Sequence, residues 1–388
     1  MEKTRKRRIW TEIAVIVLIL VGVPVLLMVR TVQHFRRNEE LLRAVKRNDT
    51  QAALRLLEAG ADANARDEDA QSKSILQRML EDLRFKQPPP NLAAKPVLFM
   101  LMQSHFSDTL KKRVPDHPEN FVLAKALLDH GADSNAQDDQ HLTALMLAAR
   151  NGYDATVRLL LERHADPRAE SISHGTPIMF ATGPCVETLM EYGADPQQGL
   201  MTAAGRGDVI ALQALLKHNV DVNAVDKYGY TPLILAAEGS DSVEAVRLLL
   251  AHGAKIDARM NEGWTALMRA AWEGHIEVMK TLLEHGADVN AQNDKGWGPL
   301  LIVQRQFPAP YTRFLLDHGA HIDAQAKDGD TPLLNAVFAE NAPGVQALLT
   351  ARANVKIKNK SGETALARAI KTKQSRIVEL LRRAGAKE

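Results

Sequence analysis

At 388 residues the chain is long enough for more than one globular domain. Its formal net charge is only +2, but basic residues are concentrated in 1–47 and 351–388, which leaves the middle of the chain net acidic. The single cysteine, Cys185, excludes an internal disulfide.

The first predicted element is a membrane-spanning helix. A basic flank, 1–8, precedes an unbroken apolar run at 13–29. With Ile9, Trp10 and Thr11 the run approaches about 20 residues, the length needed to cross a bilayer, and we place the anchor at 9–30. No small-x-small cleavage signal follows the run, which favours an uncleaved anchor over a signal peptide. The basic flank favours a cytoplasmic N-terminus and extracytoplasmic remainder, periplasmic in a bacterium. We therefore expect a single-pass membrane protein with a juxtamembrane linker at 31–40.

From residue 41 onward the sequence repeats. The glycine of a His-Gly-Ala motif recurs in steps of 33 at Gly253, Gly286 and Gly319 and, with Arg352 in the intervening slot, at Gly385. A fixed period of this length is typical of stacked-repeat proteins. The spacing is less regular toward the N-terminus. We predict a repeat solenoid over 41–388.

Each period predicts two helices. Thr231 and Pro232 suit the cap and first position of one helix, and the apolar residues of 243–250 predict a second, amphipathic helix. Gly253 can adopt the left-handed conformation that ends it. One helix pair cannot bury its own apolar faces, whereas stacked pairs bury them against each other.

These motifs resemble those of the ankyrin repeat family. The resemblance is carried by Thr-Pro-Leu at 231–233 and 331–333, Thr-Ala-Leu at 143–145, 265–267 and 364–366, and Gly-Ala-Asp-x-Asn-Ala beginning at 60, 131 and 286. It implies an all-α repeat solenoid of about ten units, each with two antiparallel helices and a β-hairpin finger. It also implies that partner proteins are bound by the fingers and first helices.

One step of the repeat is much longer than the others, because 71 residues separate Gly60 from Gly131. We predict helices at 74–83 and 120–129, with an insertion at about 85–118 that contains six consecutive apolar residues, 97–102. The insertion is either an arm that touches a partner or the membrane, or a degenerate extra repeat. The second interpretation is favoured because such an apolar run rarely stays exposed.

The sequence predicts no enzyme, metal site or cofactor. Four histidines immediately precede the helix-ending glycine slot, where a basic side chain can bond the last helical carbonyls: His130, His252, His285 and His318. They lack the spacing of metal ligands, and no glycine-rich phosphate loop is present. The basic segment 361–388 has no aromatic residue for base stacking, so neither nucleic acid nor a small-molecule substrate is an expected partner.

The candidate partner-binding residues occupy variable positions of three consecutive repeats. They are Lys227, Tyr228, Tyr230, Asn261, Glu262, Trp264, Trp272, Glu273, Asp294, Lys295 and Trp297. Tyr and Trp dominate binding hot spots, although such rings can also simply pack along a finger. The acidic surroundings suggest a partner with a basic face.

The predicted function is a membrane-anchored scaffold that binds a protein through the fingers and concave face of these repeats. The alternative is a structural spacer or assembly module whose specificity lies in the 85–118 insertion or the anchor. An enzyme that uses the irregular region around Cys185 is a third, less favoured interpretation.

Overall fold

The structure is a computed structural model that describes residues 23–47, 49–67, 95–96, 98, 101–102, 118–305, 307 and 309–387. The chain divides into two compact units between Asp195 and Pro196. In each unit, short helices are stacked in antiparallel pairs, and their apolar faces form the core.

The described helices of the first unit are α1 (Val23–Lys46), α2 (Thr50–Glu58), α3 (Pro118–Asp129), α4 (Ala144–Asn151), α5 (Asp154–Glu162), α6 (Pro177–Phe180) and α7 (Cys185–Glu191). Two short strands, β1 (Arg66–Asp67) and β2 (Lys95–Pro96), pair antiparallel, with Arg66 opposite Pro96.

Helix α1 does not have the composition of a membrane span. Charged side chains at Arg30, Arg36 and Arg37 confine its apolar stretch to the first turns. Within the described parts of the chain, no helix is long and apolar enough to cross a bilayer. This finding contradicts the predicted single-pass membrane protein with extracytoplasmic repeats. The predicted flank and most of the predicted anchor, 1–22, lie outside the described residues.

Helix α1 instead forms part of the first repeat. It runs without a break through 31–40, where a linker is predicted, and buries Leu41 and Val45 completely. Its C-terminal part packs against α2, so that the two helices form a pair like those farther along the chain.

The long step between Gly60 and Gly131 adds residues within one repeat. The Asn64 side chain donates a hydrogen bond to the Gly131 carbonyl (2.9 Å) and accepts one from the Asp133 amide (2.6 Å). Asn223 forms the same two bonds to the repeat that follows it in the second unit. This tether and the packing of α2 against α3 make the repeats that contain these two helices direct neighbours.

Only a few residues of the predicted insertion are described. Leu98, Leu101 and Met102 are helical and buried, and the Met102 carbonyl accepts a hydrogen bond from the Asn151 side chain at 3.0 Å. At these positions the apolar run packs against the repeat that contains α4. The predicted helix at 74–83 lies outside the described residues.

The second unit contains six helix pairs along its described length. They are α8 (Pro196–Arg206) with α9 (Val209–Leu216), α10 (Pro232–Gly239) with α11 (Val243–Ala251), α12 (Ala266–Glu273) with α13 (Ile276–Glu284), α14 (Pro299–Val303) with α15 (Ala309–Asp317), α16 (Pro332–Phe338) with α17 (Ala342–Thr350), and α18 (Ala365–Lys371) with α19 (Ser375–Arg383).

The helix boundaries follow the predicted capping chemistry. Thr231, Thr265 and Thr331 each accept a hydrogen bond from the amide three residues later, at 3.2–3.3 Å, which satisfies one free donor of the first turn. Within the helices that they cap, small residues such as Ala236 and Ala270 are fully buried. Their size allows neighbouring helices to approach closely.

The four histidines before the glycine slot have the predicted structural role. In each, Nδ1 lies 2.7–2.8 Å from the carbonyl oxygen four residues earlier, in the last turn of the second helix, for His130, His252, His285 and His318. Each of these carbonyls also accepts the backbone amide of the same histidine, so the ring nitrogen adds a second contact at the end of the helix.

The fingers are tighter than the predicted β-hairpins. In each, the strand pairing is reduced to one closing bond, such as Asp226 amide to Tyr230 carbonyl (3.1 Å) or Met260 amide to Trp264 carbonyl (3.0 Å). The tip is so short that little backbone remains for cross-strand pairing. Apart from β1 and β2, the described residues form no named strand.

Candidate protein-binding surface

In several fingers of the second unit, one side chain shapes the turn. Asp226 Oδ1 accepts hydrogen bonds from the amides of Tyr228 (2.8 Å) and Tyr230 (2.9 Å). Asn293 does the same for Lys295 (2.9 Å) and Trp297 (3.0 Å). Such local bonds from Asp or Asn hold a turn in one conformation, so the tip residues have fixed positions before any partner arrives.

Neighbouring finger tips are also joined to each other. The amide of Asn261 donates to the Tyr228 carbonyl (3.0 Å), and that of Asp294 donates to the Glu262 carbonyl (2.9 Å). The amide of Lys327 bonds to Lys295 in the same way. These bonds register one finger against the next. The tip side chains that they position are exposed: Lys227, Tyr228, Asn261, Glu262, Asp294 and Lys295.

A first aromatic cluster lies beside the fingers, around Trp264. The rings of Trp264 and Trp272 meet edge to face, with centroids 5.8 Å apart and planes at 86°, an arrangement that aromatic pairs prefer. The Arg269 guanidinium lies 5.4 Å from the Trp264 centroid and makes a bidentate ion pair with Glu238. Because Arg269 has both a ring and a carboxylate, its charge is already compensated.

Tyr230 borders this cluster. Burial is the largest effect on its phenol and raises the pKa of Tyr230 above the ordinary value; Arg269 opposes the rise and Glu238 supports it. The Tyr230 hydroxyl thus stays protonated well above neutral pH. Its neighbour Tyr228, by contrast, is 53% exposed.

A second cluster is centred on Arg305. Its guanidinium carbon lies 5.0 Å from the Trp297 centroid and 5.9 Å from that of Phe338. Lys295 Nζ lies 5.9 Å from the Trp297 ring and 3.9 Å from a carboxylate oxygen of Glu262. Phe338 itself is 60% exposed. An arginine framed by two rings thus reaches the surface next to an uncovered apolar side chain.

A third cluster, farther along the unit, is ionic. Arg368 donates to both carboxylate oxygens of Asp330 (2.6 and 2.9 Å), to Glu363 (2.8 Å) and to the Leu334 carbonyl (3.1 Å). These two carboxylates hold the pKa of Arg368 above its ordinary value, although burial, the largest single effect, acts against them. The Arg368 side chain makes four hydrogen bonds and is only 11% exposed, so the cluster has a structural role.

The sequence analysis did not identify two residues of this surface, Arg305 and Phe338. Both follow Trp272 by multiples of 33 residues and occupy the same position near the end of the first helix of each repeat. The 33-residue spacing from Trp272 could therefore have identified both residues. The predicted residues differ in how far their side chains are exposed. Glu273 is exposed, whereas four aromatic side chains are half-buried: Tyr230, Trp264, Trp272 and Trp297.

Within the described residues, no group of three or more His, Cys, Asp or Glu side chains is arranged to hold a metal ion. Cys185 forms no disulfide and is completely buried.

Stacked helix pairs with side chains presented from registered fingers define a repeat protein of the kind that mediates protein–protein interaction. A family described as ankyrin repeats (3 copies) matches residues 117–199, 200–293 and 301–387. The chain therefore belongs to the ankyrin repeat family, whose repeats are generally interaction modules rather than enzymes.

Three similar proteins illustrate the relationship. The chain is 34% identical over 127 residues to a transient receptor potential cation channel subfamily A member 1 homolog of Caenorhabditis elegans, covering 31% of this chain and 10% of that protein. It is 32% identical over 131 residues to dog (Canis lupus familiaris) inversin, covering 30% and 12%. It is 30% identical over 134 residues to human ankyrin repeat domain-containing protein 63, covering 33% and 35%. The chain thus spans about a tenth of the first two and about a third of the last.

Proposed function

We propose that this chain is an interaction scaffold that binds a partner protein through the finger tips and first helices of the repeats between Val222 and Arg305. The observation that carries the proposal is the continuous surface on which exposed finger-tip residues adjoin two clusters of half-buried aromatic side chains. Half-buried Trp and Tyr present large apolar area at low entropic cost, which is typical of binding hot spots.

The backbone beneath this surface supports the same function. The Asp226 and Asn293 turns and the bonds between neighbouring fingers hold the tips in place before binding. A preformed surface loses little conformational entropy when a partner binds, so more of the contact energy appears as affinity. The mechanism is recognition by a rigid surface, in which no covalent bond is made or broken.

Site-specific photo-crosslinking tests the proposal. A photoreactive residue replaces Lys227 at a finger tip or Glu273 at the end of a first helix, both of which are exposed. The control position is Arg247, which is exposed on a second helix. We expect a discrete adduct with the same protein from 227 and 273 and none from 247. Equal labelling from all three positions, or no adduct from 227 and 273, would contradict the proposed surface.

A further inference from the structure

The arginines of the second-unit surface differ in how their charges are compensated. Arg269 pairs with Glu238, and Arg368 pairs with Asp330 and Glu363. Arg305 is in contact with two rings, but the structure gives its guanidinium no carboxylate partner among the described residues. Among the side chains that the structure describes, Arg305 is thus a surface arginine held by rings and not by a carboxylate.

The two rings limit the positions of the Arg305 guanidinium and so the kind of group that it can bind. Contact with the Trp297 and Phe338 rings limits where the guanidinium can lie and replaces part of its hydration. Its N–H donors still require acceptors, and a carboxylate matches the planar fork of a guanidinium with two parallel hydrogen bonds. A guanidinium held in advance also loses less side-chain entropy when it binds.

The neighbouring residues indicate what should accompany the carboxylate. Phe338 lies next to the guanidinium and is 60% exposed, so an apolar side chain of the partner can cover it. The nearest other cation of the cluster, Lys295, lies beside Glu262. A dianionic phosphate would bind best to several cations that lack carboxylate neighbours, whereas the single guanidinium of Arg305 suits one carboxylate.

We propose, on the basis of the function proposed above, that Arg305 binds an aspartate or glutamate side chain of the partner. An apolar side chain close to that acidic residue in the same partner segment would cover Phe338. The acidic surroundings in the sequence suggest a basic partner instead. In the structure, however, the carboxylates beside these clusters already have cationic neighbours, namely Glu238, Glu262, Asp330 and Glu363. Exposed Glu273 and Asp294 flank the clusters and favour basic residues only at the edges of the bound segment.

Selection from a displayed library of random linear peptides against the full-length chain tests this inference. We expect the wild-type chain to enrich peptides with Asp or Glu next to an apolar residue. A synthetic peptide from that pool should bind Arg305→Ala about tenfold or more weakly. It should bind Arg305→Lys with an intermediate loss, because lysine lacks the fork. The matched control Arg247→Ala, on a second helix, should bind it like the wild type.

Several results would overturn the inference, once circular dichroism has shown that each variant is folded. They are an enriched pool without acidic residues, equal binding of the acidic peptide to Arg305→Ala, and tighter binding of phosphoserine peptides than of their glutamate counterparts. If no peptide is enriched but positions 227 and 273 still give the discrete adduct, the acidic-segment inference fails and the scaffold stands. If the adduct is also missing, both proposals fail.

Discussion

Replacing Arg368 with methionine should destabilise the second unit strongly. Its side chain is 11% exposed, and those of Asp330 and Glu363 are 15% and 19% exposed. The substitution keeps an unbranched apolar stem but leaves the mostly buried Asp330 carboxylate without its cation. Among the described residues, Glu363 retains only the exposed Lys371, at 3.6 Å. It also removes the hydrogen bond to the Leu334 carbonyl.

The expected loss can be bounded from this geometry. Breaking a buried ion pair by removing one partner costs about 3–5 kcal/mol, mostly because the remaining charge is uncompensated. The residual exposure of all three side chains admits some water, which places Arg368→Met near 3 kcal/mol, the lower end of that range. If the reasoning is right, neutralising the carboxylates as well, in Arg368→Met with Asp330→Asn and Glu363→Gln, should recover at least half of the loss.

Urea unfolding followed by circular dichroism measures both variants, and hydrogen exchange localises the effect. Since stability in a repeat stack depends on nearest-neighbour contacts, exchange should accelerate first in α16 to α19. A triple variant no more stable than Arg368→Met would refute the argument from uncompensated charge. A loss below about 1 kcal/mol for Arg368→Met would show that the cluster behaves like an exposed ion pair.

Three further predictions concern the fingers. Gly296→Ala should destabilise the protein more than Gly286→Ala. Both glycines have positive φ, which costs alanine about 1 kcal/mol or more. Of the two, only Gly296 would place the new Cβ against backbone, 2.7 Å from the Lys327 amide nitrogen. Asn290→Ala should cost about 1–2 kcal/mol, since Asn290 makes two hydrogen bonds to the next repeat. Raising the pH above about 10 should destabilise the wild type more than Tyr230→Phe. The pKa of Tyr230 is raised in the folded state, so folding favours the neutral phenol. This contribution to stability is lost as the pH rises from the pKa of the unfolded state toward that of the folded state.

Thermal or urea unfolding checks all three. Equal losses for the two glycine variants would contradict the predicted clash. Asn261→Ala serves as control for Asn290→Ala, because Asn261 is an exposed tip residue; similar losses from both would contradict the tether. For Tyr230, parallel stability curves of wild type and Tyr230→Phe between pH 9 and 11 would contradict the pKa argument.

Short-range patterns predicted much of the fold. The 33-residue period, the Thr caps and the helix-ending glycine slot depend on interactions within one or two turns of the chain, and the structure follows them. The histidine contacts are equally local, since each ring bonds a carbonyl four residues earlier. The membrane prediction was wrong, since no helix of the described residues is long and apolar enough to cross a bilayer. Val23–Lys46 carries several charges and pairs with α2 within the first repeat.

Composition and period determined that this is a stacked-repeat protein and which slots vary from one repeat to the next. They did not decide which variable side chains meet, because Arg269 with Glu238 or Arg305 with Phe338 involves residues about one repeat apart. Those contacts depend on how closely adjacent helices pack and how one finger is registered on the next. Tertiary packing therefore compensated Arg269 and Arg368 with carboxylates and left Arg305 beside two rings, with no carboxylate partner among the described residues.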